Sequence, residues 1–405
     1  MSGAIADLAV TGKLLAKSVG RRLRGQRGLA PDLDVFAASL QQVLDAAPPG
    51  VIESYCWLDL PANQAPWVAC DMTLSANDEV SYFIEGRVYA NRLLDIWLPL
   101  ALQIWSKVGD GRLFRGTSAS HTFTAQQGGP LQFGNYFPND WADPSGARQQ
   151  SDTVYGTMTG GTRILIVRWA GPALECLRAL QRAGGCNQYL QSEIDRIQAG
   201  DVTPAGWYHL WHIGPSDIYR DGRTPQGSAC IHCHTAGSTG ILQKDVDMPL
   251  CEDSELSWRW CVQQLPSPLR EDTVPSHDYL SIAVEFDNGR DITYYWSSTL
   301  PVGTGYDCPL PNWQGKEFHV VIRSGERGLG EWQAERRNLY SDYQQYMGKP
   351  PGRIVRVWLI ANSLFQRNTG SCDYSDIVFH QGDVAIPVSG PEAGEAKQLS
   401  LTRTE

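Results

Sequence analysis

Apolar and polar positions change period along the chain, and the changes divide it. Up to about residue 63 the apolar residues recur at helical spacing: Ile5, Leu8, Leu15 and Val19 form one stripe, and Leu33, Phe36, Leu40, Val43 and Leu44 a second. The pattern predicts two helices. Asp32 stands at the N-cap of the second, and Pro48-Pro49-Gly50 ends it. From residue 64 the texture becomes that of strands, at about 79–89, 98–105, 111–114 and the strongly apolar 163–169, separated by glycine-rich turns. This predicts an antiparallel sandwich over 64–171.

Helical period returns over 172–184 and 186–199, where Leu174, Leu177 and Leu180, then Tyr189, Leu190, Ile194 and Ile197, make a stripe. These helices, with a loop-rich stretch to residue 253, read as a connector between two sandwiches. Strand period dominates again over 254–388. Leu280, Ile282, Val284 and Phe286 alternate with Ser281, Ala283, Glu285 and Asp287, and Asn288-Gly289 separates this run from 290–296. Asn-Gly between alternating runs predicts a hairpin with both turn residues at positive φ. Strands are also expected at 317–323 and 354–361, with a helix near 333–346. The organisation expected is a helical segment (1–63), a sandwich (64–171), a helical and loop connector (172–253), a second sandwich (254–388) and a disordered polar tail (389–405). The fold class is mainly β: two antiparallel, jelly-roll-like sandwiches joined by a short helical connector.

Composition changes this picture in three places. Forty glycines, 24 prolines, 14 tryptophans and 16 tyrosines suit short strands and tight turns. A net charge of −10 argues against a nucleic-acid partner. Basic residues crowd the first 27 positions (Lys13, Lys17, Arg21, Arg22, Arg24, Arg27), so that segment reads as a surface helix open to peripheral membrane or protein contact. Charges follow its apolar stretch instead of preceding it, unlike an export signal, so a cytoplasmic location with reduced cysteines is expected.

Two resemblances follow from these residues. Residues 281–296, Val321-Ile322-Arg323-Ser324-Gly325, Leu329-Gly330-Glu331-Trp332, the run 335–343 and Arg353-Ile354-Val355 make residues 245–380 resemble a bacterial family catalogued as a domain of unknown function. The resemblance implies a jelly-roll-like sandwich and no settled activity. Pro66-Trp67, Gly86-Arg87-Val88-Tyr89, Gly109-Asp110-Gly111, Phe123-Thr124-Ala125, Gly134-Asn135-Tyr136-Phe137 and the run 164–169 make residues 66–170 similar to the small calcium-dependent galactose-binding lectins of bacteria. Those lectins place calcium ligands after the last strand, where this chain has Ala170-Gly171-Pro172-Ala173. The lectin fold is therefore implied without its calcium-held sugar site.

Two constellations could carry chemistry. Cys230-Ile231-His232-Cys233-His234 matches the haem-attachment spacing. As an alternative, Cys230, Cys233 and His234, with His209 or His212, could hold zinc. Both compete with a plainer reading as incidental thiols and imidazoles. The second constellation lies in the C-terminal sandwich: His277, Asp278, Glu285, Asp287, His319 and Arg323, walled by Tyr294, Tyr295, Trp296, Trp313, Glu331, Trp332 and Trp358. Histidines and carboxylates on one sheet face can divide acid and base roles, and aromatics can stack on a ring. Nucleotide-binding loops, serine-hydrolase elbows and zincin motifs are absent.

The expectation drawn is a cofactor-independent hydrolase or lyase acting on a small organic molecule such as a glycoside or terpenoid. His277 and His319 would carry protons, Glu285 and Asp287 would partner them, and Arg323 would steady negative charge. The alternatives are a non-catalytic carbohydrate-binding protein and a metal or haem protein.

Overall fold

The computed structural model describes residues 12, 31–92, 96–137, 140–149 and 151–388. The basic helix expected before residue 28 and the tail expected after 388 lie outside the described residues. Contacts divide the described residues into two units: one holds those of Leu15–Asp201 and Trp211–Ser216, the other those of Met1–Leu14, Val202–Leu210 and Asp217–Glu405. Among the described residues no helix is long and apolar enough to cross a membrane.

The first unit contains α1 (Leu33–Asp45), β1 (Ile52–Pro61), β2 (Val68–Leu74), β3 (Glu79–Asn91), β4 (Ile96–Trp97), β5 (Ile104–Val108), β6 (Ser120–Thr124), β7 (Gly129–Asn135), β8 (Thr159–Trp169), α2 (Ala173–Gly184) and α3 (Gln188–Ala199). Strands β1-β8-β3-β4, with β6 also on β3, make a five-stranded sheet, and β2-β7-β5 a three-stranded one. Along β8 the residues Ile164, Leu165, Ile166 and Val167 are all buried, because both faces of its sheet are covered. Ile164 and Ile166 pack with Leu131 and Phe133 of the smaller sheet. Leu165 and Val167 pack with Phe36, Leu40, Leu177, Leu180, Leu190 and Ile194 from the helices. The helices expected to bridge two sandwiches therefore cover the first one, since their apolar stripes have a sheet face to fill. Asp32 caps α1 by accepting from the backbone N–H groups of Asp34 and Val35, and Asn187 caps α3 likewise. Of the strand expected at 98–105, residues Leu100–Gln103 form a helical turn before β5, and in 111–114 only Phe114 makes a β bridge.

The second unit contains β9 (Tyr208–His209), β10 (Tyr219–Arg223), β11 (Ala229–Ala236), β12 (Thr239–Pro249), β13 (Glu255–Gln264), β14 (Tyr279–Phe286), β15 (Asp291–Ser297), β16 (Gly305–Asp307), β17 (Glu317–Ser324), β18 (Gln333–Asn338), α4 (Leu339–Met347), β19 (Arg353–Asn362), β20 (Thr369–Gln381) and β21 (Val384–Pro387). Residues expected as a loop-rich connector thus supply β9 to β12. One sheet runs β10-β11-β20-β13-β18 with β21 on β20, the other β16-β17-β15-β14-β19-β12-β9. Leu280, Ile282, Val284, Ile292, Val357 and Leu359 of the seven-stranded sheet meet Leu256, Trp258, Trp260, Val262 and Phe379 of the other in one core. Burying each such side chain contributes roughly 1.5–3 kcal/mol.

The hairpin between β14 and β15 forms as expected but by a different turn. Gly289 alone takes positive φ, at 73°, and its N–H donates to Phe286 O. This is a tight turn followed by a left-handed glycine. The helix expected near 333 starts later. Residues 333–338 pair with β13 as β18, and Asn338 caps α4 by accepting from Ser341 N–H.

One pairing departs from the antiparallel expectation. Strand β17 lies parallel to β15, and parallel neighbours require a crossover long enough to return the chain to the starting end. Residues 298–316 make that crossover and place β16 at the sheet edge against β17.

Candidate functional site

Strand alternation leaves the seven-stranded sheet a second face, turned away from the core. Its registers align side chains in rungs. One rung reads Asp245, Arg356, Glu285, Asp291, Glu317 across β12, β19, β14, β15 and β17. The next reads Tyr208, Gln243, Trp358, Ala283, Thr293, His319, Tyr306 from β9 to β16. These rungs have an open half and a sealed half.

In the open half Arg356 bridges two carboxylates, with Nη1 2.7 Å from Glu285 and Nε 3.2 Å from Asp245. The Tyr208 hydroxyl donates to Asp245 at 2.7 Å. Glu285, held by its Arg356 bond, pushes the guanidinium above its ordinary value. Tyr208 is 39% exposed. Trp313, from the crossover, stands edge-on to Trp358 with ring centroids 6.2 Å apart. The buried Trp358 Nε1–H has no hydrogen-bond partner.

In the sealed half the crossover delivers Tyr306 and Cys308 onto the face. Among the described residues, His277, Cys308, Glu317 and His319 bring one potential ligand atom each to within 4.8 Å of one another. Exposure is 0% for both histidines, 1% for Cys308 and 3% for Glu317. Nδ1–H of His277 donates to Glu271 O at 2.6 Å, which turns Nε2 toward Cys308 Sγ, 3.4 Å away. Glu317 Oε1 accepts from Tyr279 Oη (2.8 Å) and Thr293 Oγ1 (3.3 Å) and lies 3.4 Å from His319 Nε2. The His319 ring stacks on Tyr306 at 5.1 Å and meets His277 edge-on at 4.8 Å. Neither His319 nitrogen has a hydrogen-bond partner.

Electrostatics follow from that burial. Burial, then the neighbouring His319, lowers His277 to about 3. Burial, then Glu317, pushes the Asp291 carboxyl well above its ordinary value. Burial works to raise Glu317 too, but the adjacent His319 outweighs it and holds the carboxyl below its ordinary value. Burial pushes the Cys308 thiol far up.

The structure brings His277 and His319 together but gives them partners the sequence reading did not name: Cys308, Glu317 and Tyr279. Glu285 belongs to the open half, paired with Arg356. Asp287 sits beyond the face, accepting from Gly352 N–H at 3.3 Å. Asp278 accepts from the backbone N–H groups of Phe365 and Gln366 at 3.0 and 2.7 Å, so it pins a loop. A register shift between β15 and β17 sets Trp296 opposite Arg323. That shift turns Arg323 to the core side, over the Trp296 ring and against Glu335. Tyr294 and Trp296 are core residues, their polar tips bonded to Asp342 and Gly325 O. Glu331 is exposed and Trp332 lies under Arg259 of β13, in the other sheet. Of the expected wall, Trp313 and Trp358 are on this face together with Tyr295.

Cys230, Cys233 and His234 do not converge. They lie on β11, where positions three apart point to opposite faces. Cys233 is buried in the core beside Cys372, its partner across the strands, while His234 is exposed. An extended strand cannot wrap two such thiols around one haem or one ion. His209 bonds Thr203, and His212 falls in the other unit. Cys308 and Glu317 had one signal in the sequence: Cys308 lies within a proline- and glycine-rich crossover, and Glu317 opens the strand Glu-Phe-His that follows it.

Solved structures similar to this chain include one described as EclA N-terminal domain; PllA-like lectin (10% identity, 30% of this chain and 99% of that one, TM-score 0.23). Another is the xyloglucanase domain of NopAA, a type three effector from Sinorhizobium fredii, in complex with cellobiose (8%, 44% and 97%, TM-score 0.26). A third is TmCBM61 in complex with beta-1,4-galactotriose (10%, 46% and 93%, TM-score 0.22). Likenesses this slight leave function to be read from the chain's own residues. No curated protein matches the chain. Residues 215–378, which take in both halves of the polar face except Tyr208, match the model of the family described as Protein of unknown function (DUF3047).

Proposed function

We propose that the second sandwich binds a polyhydroxylated small molecule of the carbohydrate class on the open half of this face. The observation that carries the reading is the pairing of two rungs. Tyr208, Gln243 and Trp358 lie beside Asp245, Arg356 and Glu285 on neighbouring strands, with Trp313 against Trp358. Aromatic rings offer flat apolar faces to the C–H side of a sugar ring, while fixed charges and amides bond its hydroxyls. The charged groups already hold one another, so little ordering remains to be done on binding.

Acid/base turnover by His277 and His319 has less support, because both rings are sealed and a proton carrier has to come within hydrogen-bond reach of its substrate. Calorimetric titration with a panel of neutral and acidic oligosaccharides tests the proposal. A sugar that binds wild type and loses about tenfold affinity in Trp313→Ala, as expected for one lost aromatic platform, supports it. Binding to none of the panel, or binding that Trp313→Ala and Arg356→Ala leave unchanged, rejects it. Recovery of a chemically altered sugar would turn the reading toward an enzyme.

A further inference from the structure

We infer that the sealed half of the face is a binding site for one divalent transition-metal ion of the zinc class, held by His277, Cys308, Glu317 and His319. The site is built from three segments that only the fold brings together: the approach to β14, the crossover, and the first and third residues of β17. Their ligand atoms already lie within 4.8 Å of one another. Closing to the ~2.0–2.3 Å bonds of a tetrahedral ion asks for side-chain adjustments alone.

Three observations point to a cation. Both nitrogens of His319 are buried without a hydrogen bond, Nε2 standing 3.4 Å from Glu317 Oε1 and Nδ1 facing no acceptor or donor, which is costly unless something takes up a lone pair. The Nδ1–H of His277 is fixed on the Glu271 carbonyl, the arrangement that presents Nε2 as a ligand. Glu317 is oriented in the same way by the Tyr279 and Thr293 hydroxyls. The third is charge. A carboxylate and two imidazoles are buried, with no Lys or Arg within ion-pairing distance of Glu317 among the described residues.

Balance selects the ion. Binding exchanges the Cys308 S–H proton, released to solvent, for the metal. One thiolate, one carboxylate and two neutral imidazoles then cancel a dipositive charge. The donor set of two nitrogens, one sulfur and one oxygen suits zinc and excludes magnesium and calcium, which take oxygen ligands. Four protein ligands in a sealed site make the ion a structural clasp. It would tie the crossover, through Cys308, to β17 and to the segment before β14, and would do so whatever the open half binds.

The test uses the full-length protein, stripped with a strong chelator and titrated with cobalt(II) as a spectroscopic stand-in. One equivalent should bind and produce a thiolate-to-cobalt charge-transfer band in the near ultraviolet, bleached by zinc. Cys308→Ser should abolish the band, His319→Gln should weaken cobalt binding at least tenfold with unchanged circular dichroism, and Cys230→Ser should change neither. A folded stripped protein that takes up no stoichiometric cobalt overturns the inference, as does a band that survives Cys308→Ser. Should the serine variant fail to fold, wild type decides: zinc, and not magnesium, should raise its melting temperature, and no rise with zinc overturns the inference.

Discussion

The two units each bury a carboxylate, and they treat it differently. In the first, Glu193 is fully buried, and Arg196 grips both oxygens at 2.5 and 2.9 Å while Ser120 donates at 2.7 Å. In the second, Glu317 is just as deep but faces two imidazoles, a thiol, two hydroxyls and a second carboxyl on Asp291. Burial alone does not mark a site. Glu193 is a completed ion pair that holds α3 to β6. Glu317 has the His319 imidazole, 3.4 Å away, as its ion-pair partner, and no Lys or Arg among the described residues.

The largest way to break this comparison is to remove the guanidinium. Arg196→Ala leaves Glu193 buried and uncompensated and is expected to cost about 3–5 kcal/mol in denaturant unfolding. Glu317→Gln in the chelator-stripped protein should instead fall within about 1 kcal/mol of wild type. It removes a buried charge whose ion-pair partner is the His319 imidazole, 3.4 Å away, with no guanidinium or ammonium beside it, and keeps an oxygen for Tyr279 and Thr293. If both variants lose stability equally, the two carboxylates are alike and the contrast fails.

The histidines sharpen the same contrast. His121 of β6 sits among Tyr82, Phe114 and Phe123, and burial, with Arg196 and Arg115 outweighing Glu193, lowers it to about 4. A depressed imidazole binds fewer protons folded than unfolded, so stability should be full above about pH 6.5. It should fall as pH drops toward 4, by up to about 3 kcal/mol. His121→Phe should lessen that slope in melting curves taken across the window, the buried His277, lowered to about 3, supplying part of what remains. A slope unchanged in the variant would assign it to other groups. The smallest effect expected is at the caps: Asn338→Ala should cost about 1 kcal/mol by freeing the Ser341 N–H, read from the denaturation midpoint.

Much of the fold was legible because period and capping act locally. The stripe from Phe36 to Leu44 and its Asp32 cap, the continuous apolar run of β8, and the alternation of β14 each state which face is buried. The family resemblance over the second sandwich coincides with the match over residues 215–378. What was not legible depends on pairings distant in sequence. Whether residues 333–338 extend or coil was decided by β13, which offers an edge. Whether α2 and α3 bridge or cover was decided by the apolar face of β3 and β8.

The site divides in the same way. His277 and His319 stood out as histidines flanking a strong hairpin, and the structure does join them. Alternation placed His319 and Arg323 on one face, but a single register shift parted them. Cys308 was hidden because its place depends on a parallel pairing that no local pattern announces. The Cys230–His234 string misled for the opposite reason: its spacing is conspicuous in sequence, yet on a strand that spacing separates the ligands.

The central claim is that the crossover of residues 298–316 completes a cation site on the outer face of the seven-stranded sheet. Anomalous scattering from crystals of the zinc-loaded protein, measured at the zinc absorption edge, tests it most directly. The account predicts one strong peak bounded by His277, Cys308, Glu317 and His319. A peak at Cys230 and His234, or none in the sealed half, would contradict it.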